Sequence, residues 1–198
     1  MIVLVACNSN KKMYEWNHEY NGKIGLMWSP QSGYNLKIKT YAIDNGCFHQ
    51  FNYKSFKKLV ERAKERMTKP PLFIVCPDVY QCHERTMVLW NHYSPILKEF
   101  GFQVAFVAQN GCTPETVPND ANWIFIGGGD PWKMENIHKF TNNGKPVHVG
   151  RVNSIGRLNH CELNGVTSVD GSGWFRGKNK RLQPLKTFID GDNQCSLF

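Results

Sequence analysis

The chain of 198 residues carries a formal net charge of +8 at pH 7, with a hydrophobic fraction of 41% and 13% aromatic residues. This composition excludes an intrinsically disordered chain, and the length suits one domain, residues 1–198, with a substantial core. Seven cysteines at irregular spacings favour a reducing compartment over a disulfide framework, so we expect a cytoplasmic protein.

The first apolar segment, residues 2–7, is long enough for one strand only, and no basic segment precedes it. A transmembrane helix needs about 20 apolar residues, and a secretory signal peptide begins with a basic region. No later apolar segment reaches the length of a membrane span. We therefore expect no signal peptide, no transmembrane helix and no membrane partner.

Short apolar clusters recur along the chain, and amphipathic segments separate several of them. Strands are predicted at residues 2–7, 41–44, 72–77, 103–108, 123–127, 146–150 and 165–170, because these clusters are short and mostly β-branched. Helices are predicted at residues 53–68, 83–100 and 131–140, and we expect Pro95 to kink or split the second helix.

Strands that alternate with helices predict parallel βαβ units, hence an α/β fold. The sheet either closes into a barrel or stays open and doubly wound. Seven candidate strands favour the barrel. Because a full (β/α)8 barrel usually has about 200 to 250 residues, we expect a compact, partly reduced TIM-like barrel in a single domain.

Polar residues follow the predicted strands, where the ligands of both α/β architectures bind. In chain order they are Asp44, Asp78, Gln109, the glycines 127–129 with Asp130, Arg151 and Asp170. Turn chemistry explains any one of these acids, since Asp-Asn-Gly and Asp-Gly are ordinary turn formers. The carboxylates Asp44, Asp78 and Asp170 at separate strand ends nevertheless predict a shared pocket. We expect His148 to be a satisfied core or pocket-wall histidine rather than a ligand.

The basic segment, residues 174–186, has the sequence WFRGKNKRLQPLK, with five basic residues, two aromatics and no acid. This composition suits a phosphate backbone and an unstacked base, although a solvated basic tail explains it equally well. The candidate nucleic-acid contacts are Arg151, Arg176, Lys178, Lys180 and Arg181.

These motifs, in this order, resemble the tRNA-guanine transglycosylase superfamily, especially its short phage-type members that exchange guanine in DNA for a 7-deazaguanine. DNGCF at residues 44–48 is similar to the family's D-S-G-G-F-like motif, and Asp78 in CPDVY to its base-reading acid. VAQNG at residues 107–111 and IGGG at 126–129 are similar to its V-Q-G-G-like and I-G-G segments. VHVG at 147–150 and GVTSVD at 165–170, followed by Arg176, resemble its last glycine turn and nucleophile motif.

The resemblance implies base exchange through a covalent aspartyl-sugar intermediate, with Asp170 as the nucleophile and Asp44 as the proton-transfer residue. Breaking an N-glycosidic bond calls for a carboxylate near C1′, and the departing purine must be protonated. A guanine edge is distinguished by hydrogen bonds, and its ring by stacking. The residues implied to bind the base are Asp78, Gln109, Phe48, Gly127, Gly128 and Gly129.

The implied partners are DNA and a free 7-deazaguanine base, and the implied setting is a host cytoplasm in which a phage protects its genome from restriction. No cofactor is expected, because the family's Cys/Cys/Cys/His zinc cluster has no counterpart here and no other zinc-site spacing occurs.

Base exchange on tRNA is a second possibility. A nucleoside deoxyribosyltransferase or hydrolase, which the basic charge disfavours, and a non-catalytic nucleic-acid-binding module are two more.

Overall fold

The structure is a computed structural model that describes residues 1–6, 11–32, 34–48, 50–175 and 179–191, with the backbone only at residues 179 and 180. In these ranges eight parallel strands form a closed barrel in chain order, and the last strand pairs with the first. The strands are β1 (Ile2–Val5), β2 (Ile24–Trp28), β3 (Tyr41–Ile43), β4 (Ile74–Val75), β5 (Val104–Ala108), β6 (Trp123–Ile126), β7 (Val147–Val149) and β8 (Ser168–Asp170).

The helices surround this barrel and follow most of its strands. They are α1 (Lys11–Glu19), α2 (Tyr53–Arg66), α3 (His83–Lys98), α4 (Asp130–Thr141), α5 (Ile155–Leu163) and α6 (Asn179–Asp190). The predicted compact TIM-like barrel is confirmed, and the three predicted helices are observed as α2, α3 and α4 with shifted ends. Pro95 does not split α3, which continues to Lys98. No helix of the described ranges is both long enough and apolar enough to cross a membrane.

Alternation along the strands divides the apolar side chains between two cores. The inner one fills the barrel and contains Leu4, Met27, Ala42, Phe73, Val75, Ala105, Val107 and Trp123. Side chains of the intervening strand positions, such as Val3 and Phe106, point outward and pack under the helices. Because successive strand residues face opposite sides, a strand between barrel and helices is buried on both faces, which explains the nearly continuous apolar strand sequences.

Strand β2 is the element that the sequence analysis missed, together with α1, α5 and α6. Its sequence IGLMW is wholly buried, but a glycine weakens the strand pattern. A Cβ atom on Gly25 would lie 2.5 Å from the carbonyl oxygen of Thr40 and 2.8 Å from Leu4 Cδ2. Gly25 is therefore required by the close approach of β1 and the segment before β3, which only the assembled barrel reveals.

Several apolar residues of the basic segment are part of the core. Trp174 is 1% exposed, Phe175 is also buried, and Trp174 Nε1 donates a hydrogen bond of 2.8 Å to the carbonyl oxygen of Val152. The expectation that these aromatics could stack on an unpaired base is therefore wrong. In α6, Leu182 and Leu185 are buried as well, because the helix packs one face against the barrel.

We predict that Trp174→Ala lowers the free energy of unfolding by about 3–5 kcal/mol, because it leaves a cavity where the segment after β8 meets the core. Leu163→Ala is the control, since Leu163 is 81% exposed, and it should cost less than about 0.5 kcal/mol. Urea denaturation measures both. Equal effects would contradict the burial of Trp174.

Candidate active site

A cavity of about 430 Å³ opens at the carboxyl ends of the barrel strands. Parallel strands of a closed barrel present these ends at the same face, so residues distant in sequence meet there. The predicted site residues that line the cavity are Asp44, Phe48, Asp78, Gln109, Gly127, Arg151 and Asp170. The structure thus brings together the three acids that sequence analysis selected, together with the amide and the arginine.

Asp78, after β4, is held by two side-chain amides. Asn45 Nδ2 donates to Oδ1 at 2.8 Å, and Gln109 Nε2 donates to Oδ2 at 2.6 Å. The same amides are themselves fixed, because Asn45 also donates to the Cys76 carbonyl and Gln109 accepts from the Gln81 N–H. Burial raises the pKa of Asp78, against the opposing effect of these donors. The carboxyl group is therefore firmly oriented toward the cavity, and Asn45 is a site residue that the sequence analysis did not select.

Asp44 follows β3 and points into the same cavity. Burial, together with the charges of Asp170 and Asp78, raises the pKa of Asp44 to about 7. The backbone N–H of Gly46 donates to Asp44 Oδ2 at 3.3 Å, in a turn where Gly46 has a φ of 75°. Near neutral pH both protonation states of Asp44 are populated, as a group that alternately gives and takes a proton requires.

Asp170 ends β8 and carries its own set of partners. Its Oδ1 lies 3.0 Å from His148 Nε2, and its Oδ2 accepts a long hydrogen bond of 3.4 Å from the backbone N–H of Arg151. His148 Nδ1 lies 2.8 Å from Ser168 Oγ. His148 is buried, as a satisfied core histidine should be, but its contact with the candidate nucleophile was not foreseen.

The rim of the cavity carries a cluster of Phe48, Tyr80 and Arg151, which we call the rim cluster. The guanidinium carbon of Arg151 lies 5.4 Å from the ring centre of Phe48 and 5.0 Å from that of Tyr80. Arg151 Nη2 also donates to the carbonyl oxygens of Gly127 and Gly128, at 3.2 and 2.9 Å. The predicted stacking residue Phe48 is 65% exposed, and Tyr80 beside it was missed by the sequence analysis.

The glycines after β6 play a different part from the predicted one. The N–H of Gly127 donates to the Ala108 carbonyl at 3.0 Å, and that of Gly129 donates to Asn110 Oδ1 at 2.8 Å. Both glycines were expected to bind the base, but these N–H groups already donate to protein acceptors, so a role as base donors through them is wrong. A Cβ atom on Gly127 would lie 2.7 Å from Val107 Cγ1, and one on Gly128 would lie 2.5 Å from the Trp132 ring. These glycines are needed for close packing, and Gly128 and Gly129 do not line the cavity.

A buried lysine supports the loops beneath Arg151. Lys133, from α4, is fully buried, and its Nζ donates to the Gly150 carbonyl at 2.6 Å and lies 3.0 Å from Asp130 Oδ1. Arg157 pairs with the other oxygen of Asp130 at 2.7 Å. Burial lowers the pKa of Lys133, whereas its contact with Asp130 favours the charged form. This network connects the loop after β6 with the loop after β7.

The predicted nucleic-acid contacts are only partly described. Arg181 is exposed, and its Nη1 donates to the Gly173 carbonyl at 3.3 Å, in the loop that follows Asp170. Arg176 and Lys178 lie outside the described residues, as does the side chain of Lys180.

Within the described ranges no group of three or more His, Cys, Asp or Glu residues could hold a metal ion. The absence of a cofactor stays a prediction.

Comparison with known proteins adds little to this geometry. No protein-family model matches the chain. No curated protein matches it either. One similar solved structure is that of the Bacillus subtilis YkuI protein, which has an EAL domain and was crystallised with its substrate c-di-GMP and calcium. That match has 10% sequence identity and a TM-score of 0.39, and it covers 81% of this chain and 45% of the other. The transglycosylase resemblance thus stays a prediction beyond its barrel fold.

We predict that Asp44→Asn stabilises the protein increasingly as the pH rises from about 5 to about 7, with no further gain above that pH. The pKa of Asp44 is raised in the folded state, so the folded protein binds more protons than the unfolded chain in this range. The contribution of Asp44 to the free energy of unfolding is therefore complete at low pH, and it is lost as the pH rises through the folded-state pKa. Urea denaturation of both proteins at each pH measures the difference.

Asp120→Asn is the control for this experiment. Asp120 is exposed, and its hydrogen bond with Lys98 lowers its pKa, so its effect on stability should stay constant from about pH 5 to pH 8. A difference between Asp44→Asn and the unmodified protein that is equally flat would contradict the raised pKa of Asp44.

Proposed function

We propose that this protein is a base-exchange transglycosylase that replaces guanine in DNA with a 7-deazaguanine derivative through a covalent aspartyl-sugar intermediate. The observation that carries the proposal is the convergence of Asp44, Asp78 and Asp170 on one cavity at the carboxyl face of the barrel. Their environments differ, which supports three separate roles: proton transfer, base recognition and nucleophilic attack.

Asp170 is the proposed nucleophile. Its Oδ2 attacks C1′ of the deoxyribose, the C1′–N9 bond breaks, and the bonding electron pair leaves with the purine. In the second step N9 of the incoming base attacks C1′, and the electron pair of the C1′–O bond returns to Asp170. Two displacements on opposite faces give overall retention of configuration.

Asp44 is the proposed acid and base. Its protonated form gives a proton to the departing guanine, and the resulting carboxylate takes the N9 proton of the incoming deazaguanine. The proton count therefore balances over one exchange. A pKa of about 7 supports this role, because the residue must act as an acid in one step and as a base in the next.

Asp78 and Gln109 are the proposed readers of the base edge. Asp78 accepts one amide hydrogen bond on each oxygen, and each oxygen keeps a second lone pair for the N1–H and exocyclic amine of guanine. The Gln109 amide has a second N–H for the O6 atom. Phe48, at the rim of the cavity, offers an aromatic face to the purine ring.

DNA is the proposed polymer because the chain carries a net charge of +8, and phosphate contacts offset the cost of unstacking the target base. Arg151 at the rim and Arg181 beside the loop after β8 are candidate contacts within the described residues. Arg176, Lys178 and Lys180 are further candidates from the sequence. The proposed setting is a host cytoplasm, where such a modification protects phage DNA from restriction.

A deoxyribosyltransferase or hydrolase acting on free nucleosides is the second candidate. The burial of Trp174 and Phe175 favours it, because the basic segment then lacks stacking residues for a polymer. Lys186 of the same segment is paired with Asp190 at 2.8 Å, which further reduces the free positive charge. The cavity chemistry is the same for both candidates, so the substrate decides between them.

We predict that radiolabelled guanine enters DNA and that an unlabelled 7-deazaguanine competes with it, whereas tRNA and free deoxyguanosine take up no label. Asp170→Asn should abolish the exchange, and Asp44→Asn should slow it by about 10²- to 10⁴-fold. Asp120→Asn, a surface substitution, serves as the matched control and should leave the exchange unchanged. Label in deoxyguanosine alone would establish a nucleoside deoxyribosyltransferase, and label in tRNA alone would exclude DNA as the substrate.

We also predict that Asp78→Asn reduces the preference for guanine over hypoxanthine by about 5- to 150-fold. Hypoxanthine lacks the exocyclic amine from which Asp78 accepts a hydrogen bond. The ratio of kcat/KM for the two bases measures this preference and is insensitive to partial loss of folded protein. An unchanged ratio would remove Asp78 from the base pocket.

A further inference from the structure

A hydrogen-bonded series of three side chains runs from the barrel interior to the candidate nucleophile. Ser168 Oγ lies 2.8 Å from His148 Nδ1, and His148 Nε2 lies 3.0 Å from Asp170 Oδ1. Strand pairing fixes this arrangement, since His148 of β7 is in register with Ser168 of β8. Asp170 stands two residues further along β8, on the same face as Ser168.

His148 is enclosed and has no surface on the cavity. It is fully buried, as is Ser168, and its ring lies 4.6 Å from that of Phe125 and 5.1 Å from that of Phe73, centre to centre. Asp170 does line the cavity. A substrate in the cavity therefore meets Asp170 and not His148, so any effect of the histidine on chemistry passes through the carboxylate.

The direction of the hydrogen bonds follows from their chemistry. An ionised carboxylate can only accept, so Nε2 of His148 carries the proton that faces Asp170 Oδ1. In a neutral ring Nδ1 is then an acceptor, and the Ser168 hydroxyl donates to it. The acceptor-only carboxylate thereby selects the tautomer in which His148 donates to Asp170, and the Ser168 hydroxyl, which can donate or accept, completes the pair at Nδ1. The other carboxylate oxygen, Oδ2, has the longer contact with the Arg151 N–H.

We propose that His148 is a positioning residue for base exchange, held by Ser168, that anchors Oδ1 of Asp170 so that Oδ2 attacks C1′. The inference rests on the proposed function and deepens it. No proton passes through His148 in either step. The hydrogen bond strengthens when the C1′–O bond breaks and negative charge returns to the carboxylate, because a hydrogen bond to an ionised acceptor is stronger than one to an ester.

The consequence is a specific kinetic pattern. Without the His148 donor, the breakdown of the aspartyl-sugar bond should slow more than its formation, and the covalent protein–DNA adduct should accumulate. Base binding should not change, since Asp78, Gln109 and Phe48 have no contact with His148 among those described. The KM for the incoming base should therefore stay within about 2-fold of normal, while kcat falls about 10- to 100-fold, as when an outer-shell hydrogen-bond partner is lost.

The test compares His148→Leu with His148→Gln in the full chain. Leucine fills the buried site without a donor, whereas the amide nitrogen of glutamine can replace Nε2 as a donor to Asp170. We expect His148→Leu to lower kcat and to raise the fraction of protein in a covalent adduct that survives denaturing gels. His148→Gln should restore most of both, and thermal unfolding of each variant checks that it is folded. Ser168→Ala should have a smaller effect in the same direction.

A second measurement does not depend on turnover. Nitrogen-15 NMR of the histidine rings in the unmodified protein should show His148 protonated at Nε2, and Asp170→Asn should shift this resonance. A ring protonated at Nδ1 alone would overturn the proposal even if both variants failed to fold.

The kinetic outcomes separate this inference from the proposed function. If the unmodified protein exchanges guanine and His148→Leu does so equally well, the positioning role is wrong and the proposed function stands. A folded His148→Gln that is as slow as His148→Leu would also overturn it. If the unmodified protein incorporates no label, both the proposed function and this role are overturned.

Discussion

The closure of the sheet, with β8 paired to β1, is the constraint on which the candidate site depends. In the observed register Asp170 pairs with Leu4, and the N–H of Gly171 donates to the Leu4 carbonyl at 3.1 Å. An open sheet would leave β8 at an edge, far from β3. The closed ring instead brings Asp170 within electrostatic range of Asp44, as the effect of one charge on the pKa of the other indicates.

Three carboxyl groups around one partly buried cavity repel one another, and the surrounding side chains moderate this cost. Asn45 and Gln109 donate to Asp78, and His148 Nε2 lies within hydrogen-bond distance of Asp170 Oδ1. The carboxyl group of Asp44 accepts from the backbone N–H groups of Gly46 and Asn45, which lower its pKa, but burial and the like charges of Asp170 and Asp78 outweigh them and raise the pKa to about 7. Unequal solvation of neighbouring acids is the usual means by which a site obtains both an acid and a nucleophile.

The rim differs in character from the floor of the cavity. Its arginine adopts a φ of 62°, a left-handed conformation that non-glycine residues rarely adopt, and the loop carrying it is supported by buried Lys133. Such strain persists where surrounding contacts enforce it, and it is common near functional sites. Under the proposed function, Asp78 and Gln109 read the base edge inside the cavity, whereas at the rim Phe48 stacks on the base and Arg151 contacts the polymer.

Local sequence was sufficient to predict the barrel class and to place Asp44, Asp78, Gln109 and Asp170 at the carboxyl ends of strands. Short apolar clusters mark the strands, and the ligands of parallel α/β folds bind at the ends of those strands. The tertiary structure alone revealed β2 and the support given by Asn45, Lys133 and His148, since these depend on strand register and on contacts between distant segments. It also corrected the roles of Trp174 and of the Gly127 and Gly129 amides, because burial and hydrogen bonding to other protein groups cannot be read from composition. Sequence determined which residues stand at strand ends, and packing decided which of their atoms remain available to a substrate.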